Sequence, residues 1–178
     1  MKTKIQIKTY LGSILFEYEK ENNTIKKTVE KAVRTNADLT DADLTNADLR
    51  GAYLRGAYLT GADLRKIKHQ FQIIPEEGSF IAWKKGRNNH LIKLEIPKES
   101  KRHNCLTSRK CRAEFVIVLD IRNSKGHKAK KCYGLYNSDF EYEISKTVKA
   151  DSYNPDPLLE CSNGIHFFVT KQEAKDWN

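Results

Sequence analysis

The sequence predicts a mainly β protein, in which a hairpin and a helix precede a run of five-residue repeats and a small β-rich α+β domain follows. Three observations carry this. Residues 36–65, NADLTDADLTNADLRGAYLRGAYLTGADLR, repeat with a period of five; IQIKTY and SILFEY alternate around Gly12; and from Gly78 onward short Ile, Val and aromatic runs are separated by turn-prone clusters. The expected divisions are 1–35 for the hairpin and helix, 36–75 for the repeats and 76–178 for a basic β-rich domain.

Each element follows from its pattern. Alternation on either side of Gly12 reads as two paired strands. In NTIKKTVEKAVRT, Ile25, Val29, Ala32 and Val33 fall at helical spacing behind an N-cap at Asn23 or Thr24. In the repeats, Ala37, Ala42, Ala47, Ala52, Ala57 and Ala62 recur every five residues, as do Leu39, Leu44, Leu49, Leu54, Leu59 and Leu64. On a helix five residues turn through about 500°, so these leucines would spiral around every side and form no face.

An alanine, then Asp or Asn, then leucine and two variable positions resembles the pentapeptide-repeat family, and all six units match it. The resemblance implies a right-handed quadrilateral β-helix with four repeats per coil and with leucine and alanine inward. Residue i then stacks on i+20, placing Leu39 beside Leu59 and Leu44 beside Leu64. No single unit can bury its apolar pair, so stacked coils must do so together, and six units make one and a half coils. Degenerate units extend the phase through Ala32 before the repeats and through Ile67 and Ile74 after them. Asp38, Asp43, Asp48 and Asp63 face outward in one register that Tyr53 and Tyr58 also occupy, and Arg50, Arg55 and Arg65 follow the leucines. This mixed surface on a basic chain has the wrong field for the DNA mimicry known among long acidic members of that family.

In the second half SFIAWKK, HLIKLEI, AEFVIVLDI and IHFFV read as strands, and Thr170 with Glu173 forms a capping box opening a last short helix, with Trp177 packing back on the sheet. Tyr142, Lys146, Thr147 and Val148, then Cys161, Gly164, Ile165, His166, Phe167 and Phe168, resemble small domains of unknown function found beside pentapeptide repeats and in many bacteriophage genes. That layout implies a phage or prophage accessory protein, and it brings no reaction with it.

The net charge of +9 over 178 residues is local: residues 84–112 hold ten Lys or Arg against Glu95 and Glu99, leaving +1 for the rest of the chain. A confined positive field suggests an anionic partner. Within it Lys101, Arg102, His103, Thr107, Ser108, Arg109, Lys110 and Arg112 form a donor-rich stretch suited to phosphate oxygens, with Trp83, Tyr133 and Tyr136 available for stacking if the fold brings them near. A solvated loop joining two strands explains the same charges. His166 reads either as a core histidine or as a ligand donor, and an enzyme reading would pair it with Glu160 as acid and base.

No cofactor and no metal are expected. Cys105, Cys111, Cys132 and Cys161 lack the C-x-x-C pairs of zinc ribbons, and without an export signal they are expected to be reduced thiols, with no motif marking Cys161 as a nucleophile. GIHFFVTKQEA is similar to the NAD-binding segment of ADP-ribosyltransferases, but the catalytic glutamate expected downstream does not follow, so an active transferase is not expected. No stretch approaches 18 consecutive apolar residues, which excludes a membrane helix.

The resulting expectation is a cytoplasmic, non-catalytic binding protein of counter-defence type, in the host cytoplasm if phage-encoded. It recognises a nucleotide or nucleic acid through the basic domain. The alternatives are an inhibitor or scaffold binding a host protein through the repeat faces, and a nucleotide-processing enzyme using His166. Open solenoid ends favour a homo-oligomer.

Overall fold

The structure, a computed structural model, describes residues 1–64, 68–137 and 140–177. The expectations for Arg65 and Ile67 lie outside the described residues. The protein is mainly β, with small sheets and few helices, and no described helix is long and apolar enough to cross a membrane. It divides into two compact units, Met1–Gln72 with Leu106–Ser108, and Ile73–Cys105 with Arg109–Asn178.

In the first unit β1 (Lys2–Lys8) and β2 (Ile14–Glu21) pair antiparallel around a turn where Gly12 takes φ +91°. Helix α1 (Ile25–Arg34) follows, and of the two expected N-caps it is Thr24 whose hydroxyl accepts from the Lys27 amide at 3.2 Å. Asn23 instead donates to the Tyr18 carbonyl at 2.8 Å and so ties the helix start to β2. Val29, Ala32 and Val33 are buried and Ile25 half-buried, as their spacing requires.

The repeats carry no named strand. Instead the amides of Ala42, Ala47, Ala52, Ala57 and Ala62 each bond the carbonyl of the leucine three residues earlier, at 2.9–3.1 Å, giving one tight turn per unit. The residue before alanine takes φ between +54° and +76° at Asn36, Asp41, Gly51, Gly56 and Gly61, which explains the Gly, Asn or Asp at those five positions. The six leucines are all buried, at no more than 3% exposure, against exposed neighbours, and each contributes about 1.5–3 kcal/mol.

Parallel bridges join Asp38 to Tyr58 and Asp43 to Asp63, so residues twenty apart lie side by side, but no closed sheet forms among the described residues. The Asp43 amide donates to the Lys8 carbonyl at 2.8 Å, and the Tyr53 amide to the Glu30 carboxylate at 3.1 Å. The hairpin and the helix are thereby both fastened to the repeats.

The second unit is built on an antiparallel sheet of β3 (Phe80–Lys85), β4 (Leu91–Ile96), β7 (Phe115–Arg122) and β10 (Thr147–Lys149), in the order β10-β7-β4-β3. A second sheet has the order β11-β6-β5, from β5 (Arg102–Asn104), β6 (Cys111–Ala113) and β11 (Ile165–Phe167), and β8 (Lys131–Tyr133) pairs with β9 (Glu141–Glu143). Ile92, Leu94, Val116, Val118, Ile165 and Phe167 close one core between them. Ile74, expected to continue the repeats, is buried in this core instead.

Reciprocal backbone bonds of 2.8 and 2.7 Å between Trp83 and Phe168 tie β3 to the residue after β11. Helix α2 (Lys171–Asp176) opens on the Thr170–Glu173 capping box, and Trp177 stacks on Phe168 with ring centroids 5.3 Å apart.

Candidate functional site

Strand β3 ends in two lysines, and its alternation decides their fates. Ala82 is fully buried, so Lys84, two residues on, points to the same side and is carried toward the interior. Its Nζ donates to the His166 carbonyl at 3.0 Å and lies 5.7 Å from the Tyr142 ring centroid; among the described residues it has no ion-pair partner. Lys85 donates to the carbonyls of Trp177 (2.6 Å) and Lys175 (3.3 Å), closing the C-terminal end of α2. Lys110, just before β6, is buried, donates to Cys161 Sγ at 3.3 Å and sits 4.6 Å above the Trp177 ring.

These side chains share a cavity of about 160 Å³ with Tyr142, His166 and Trp177, and no carboxylate occurs among the described residues that line it. Burial, together with the Lys110 charge, pushes the Lys84 amine down to about 8. Burial also drives His166 down to about 3, reinforced by the charges of Lys110, Lys84 and Arg112 and opposed by a hydrogen bond to the Ser162 backbone. Its Nε2 is buried and has no hydrogen-bond partner among the described residues. The ring is therefore neutral at physiological pH, and the positive charge of the site belongs to its lysines. Burial raises the Tyr142 hydroxyl, so it stays protonated.

The donor-rich stretch expected to bind the ligand is dispersed by the fold. The Arg102 guanidinium donates to the carbonyls of Gly78 (2.8 Å), Glu76 (3.0 Å), Pro97 (3.0 Å) and Lys98 (3.2 Å), which makes it a backbone clamp. Arg109 pairs with Glu173 at 2.6 Å. Lys101 is exposed, and Thr107 and Ser108 are half-buried in the segment grouped with the first unit.

Arg112 is 2% exposed and donates to the carbonyls of Asp156 (2.6 Å) and Leu159 (2.7 Å) and to His103 Nε2 (2.9 Å), while its Nη1 has no partner among the described residues. Because a guanidinium only donates, His103 Nε2 must accept, and Nδ1 carries the proton donated to the Tyr153 hydroxyl at 2.6 Å. His103, Arg112 and His166 are cross-strand neighbours on β5, β6 and β11.

Of the candidate ligand and stacking residues the cavity gathers Lys110, His166 and Tyr136, together with Tyr142, Gly164, Ile165 and Phe168 of the C-terminal motif and Trp177, while Lys101, Arg102, His103, Thr107, Ser108, Arg109 and Arg112 do not line it. It adds Lys84 and Lys85, of which Lys84 had a readable signal: a lysine in phase with a core alanine on one strand. Glu160 is half-buried and makes no hydrogen bond with His166. Among the described residues no group of three or more His, Cys, Asp or Glu could hold a metal, and all four cysteines are free thiols.

A profile of the family of unknown function DUF5758 matches residues 70–174. The chain belongs to that family. The DUF5758 span includes Lys84, Lys85, Lys110, Tyr142 and His166 and stops short of Trp177, while a pentapeptide-repeat profile matches residues 35–68 with eight copies. No curated protein and no solved structure matches this DUF5758 chain.

Proposed function

We propose that the DUF5758 unit is a binding module for a small anionic ligand, whose anionic group enters the cavity between Lys84 and Lys110. The observation that carries this is Lys84: an amine drawn inside with only a carbonyl acceptor, in a cavity whose described lining holds no acid. Such an arrangement costs stability in the free protein and is relieved when an anion enters. An enclosed space of about 150 Å³ holds a six-membered ring, so this one takes a phosphate or a short carboxylate. Trp177 and the exposed Tyr136 would meet any ring attached to it, which is the arrangement a nucleotide needs. On the phage-like layout of the sequence, the role that fits is sequestration of a host nucleotide signal.

Thermal melting against inorganic phosphate and nucleoside mono-, di- and cyclic phosphates at low salt tests it. A rise in Tm that Lys84→Met abolishes is expected; no rise with any of these probes overturns the reading.

A second reading concerns the first unit, where Tyr53 and Tyr58 are 60% and 59% exposed in the register that other units fill with Asp. The parallel bridges between residues twenty apart support one and a half coils of a quadrilateral β-helix presenting these rings to a protein partner. Its test is the solution mass and host-protein binding of Tyr53→Asp with Tyr58→Asp; unchanged behaviour in both measurements rejects it.

A further inference from the structure

We infer that Lys84 is an amine nucleophile that forms an imine with a short anionic carbonyl compound of the 2-oxo acid class. This rests on the anion-binding reading of the same cavity and adds a covalent step to it. The three lysines of the cavity are not equivalent. Lys85 is held by the carbonyls of Trp177 and Lys175 at the end of α2, and Lys110 by Cys161 Sγ and the Trp177 ring. Among the described residues Lys84 makes a single hydrogen bond, to the His166 carbonyl at 3.0 Å, with the Tyr142 ring 5.7 Å away, and it lines the cavity.

A lysine becomes a nucleophile when burial and a second cation strip its proton, and both act here, Lys110 supplying the second charge. With its proton affinity lowered to about 8, roughly a tenth of Lys84 is free amine at pH 7, against well under a thousandth of an ordinary lysine. The groups facing it are Lys110, His166, Tyr142 and Cys132. His166 is neutral and burial holds the Tyr142 hydroxyl protonated; Cys132 alone opposes the shift of Lys84, and burial pushes its own thiol up to about 11, so that opposition is weak at pH 7. Size agrees as well: a three-carbon 2-oxo acid has about as many heavy atoms as the benzene that fills an enclosed space of ~150 Å³.

The step balances without an oxidant or reductant. The Nζ lone pair adds to the carbonyl carbon, the carbonyl oxygen takes a proton, and the carbinolamine then loses that oxygen as water together with the second nitrogen-bound hydrogen to leave C=N. The carboxylate of the oxo acid meets the charge of Lys110.

The experiment treats the full chain with pyruvate and cyanoborohydride and maps the reduced adduct by peptide mass spectrometry. The expected result is labelling of Lys84 at least about tenfold faster than that of exposed lysines at pH 7, as its larger free-amine fraction requires. The rate should rise with a midpoint near 8 and slow when inorganic phosphate is added. Lys84→Arg should keep phosphate binding and lose the adduct; should that variant not fold, the pH profile of the native chain decides alone. Labelling of Lys84 no faster than at the surface, with phosphate still raising the Tm, overturns the imine and leaves the anion site standing. Neither adduct nor phosphate effect overturns both.

Discussion

The aspartates of the repeats and the lysines of the cavity handle charge in opposite ways. Asp38, Asp43 and Asp48 each accept from the backbone amide two residues on, at 2.9, 3.1 and 3.2 Å, closing a local turn in water. Asp48 also receives the Arg50 guanidinium at 2.7 Å, and these bonds hold its carboxyl down at about 2. Lys84 finds its acceptor 82 residues away, on β11, and its amine is destabilised by the surroundings that position it. Charge satisfied by a sequence neighbour builds structure; charge held by the fold without a counter-ion is available for a ligand.

The sharpest way to break this comparison is Lys84→Met. It should abolish the phosphate-induced rise in Tm and also stabilise the free protein at pH 7, since a charged amine leaves a buried position. The sign is fixed by a folded-state value near 8 against 10.5 unfolded: the penalty is complete below 8 and disappears as pH rises to 10.5. Denaturant titrations at pH 7 and 10 measure it, and a variant less stable than the native chain at pH 7 would deny the cost.

Next in size is Leu44→Ala in the repeats, expected to cost about 3 kcal/mol through the lost side chain and the space it leaves. The phosphate response of the chain should persist as long as the second unit is folded. Urea unfolding with and without phosphate checks both halves of the statement.

Acid separates the two regions more finely. His166, driven from 6.5 to about 3, makes the protein lose stability as pH falls from about 6.5 toward 3, because the unfolded chain binds the proton that the folded one refuses. Asp38 and Asp48, lowered from 3.8, act only below that value. His166→Gln should therefore flatten the stability profile between pH 6 and 4 and leave the steeper fall below it. An unchanged slope in that window would assign it elsewhere.

The smallest effect is that of Asp38→Ala, which removes the exposed turn bonding to Thr40. A slight drop in Tm and no change in phosphate response are expected; a drop as large as that of Leu44→Ala would show that the aspartates do more than close turns.

The period of five, the buried leucines, the hairpin, α1 with its cap, and the capping box of α2 were determined by sequence alone, because each rests on interactions between residues fewer than about six apart or on strict alternation. Residue chemistry also marked Lys110 and His166, but it marked Arg102 and Arg112 equally, and nothing local distinguishes an arginine that will clamp backbone carbonyls from one that will meet a ligand. That choice belongs to tertiary structure. Arg102 meets carbonyls near Gly78, Arg112 meets those of Asp156 and Leu159, and Lys84, Lys110, Tyr142, His166 and Trp177 come from five separate segments. The strength of a charge depends on what surrounds it once water is excluded, and those surroundings exist only after the sheets of the second unit have closed.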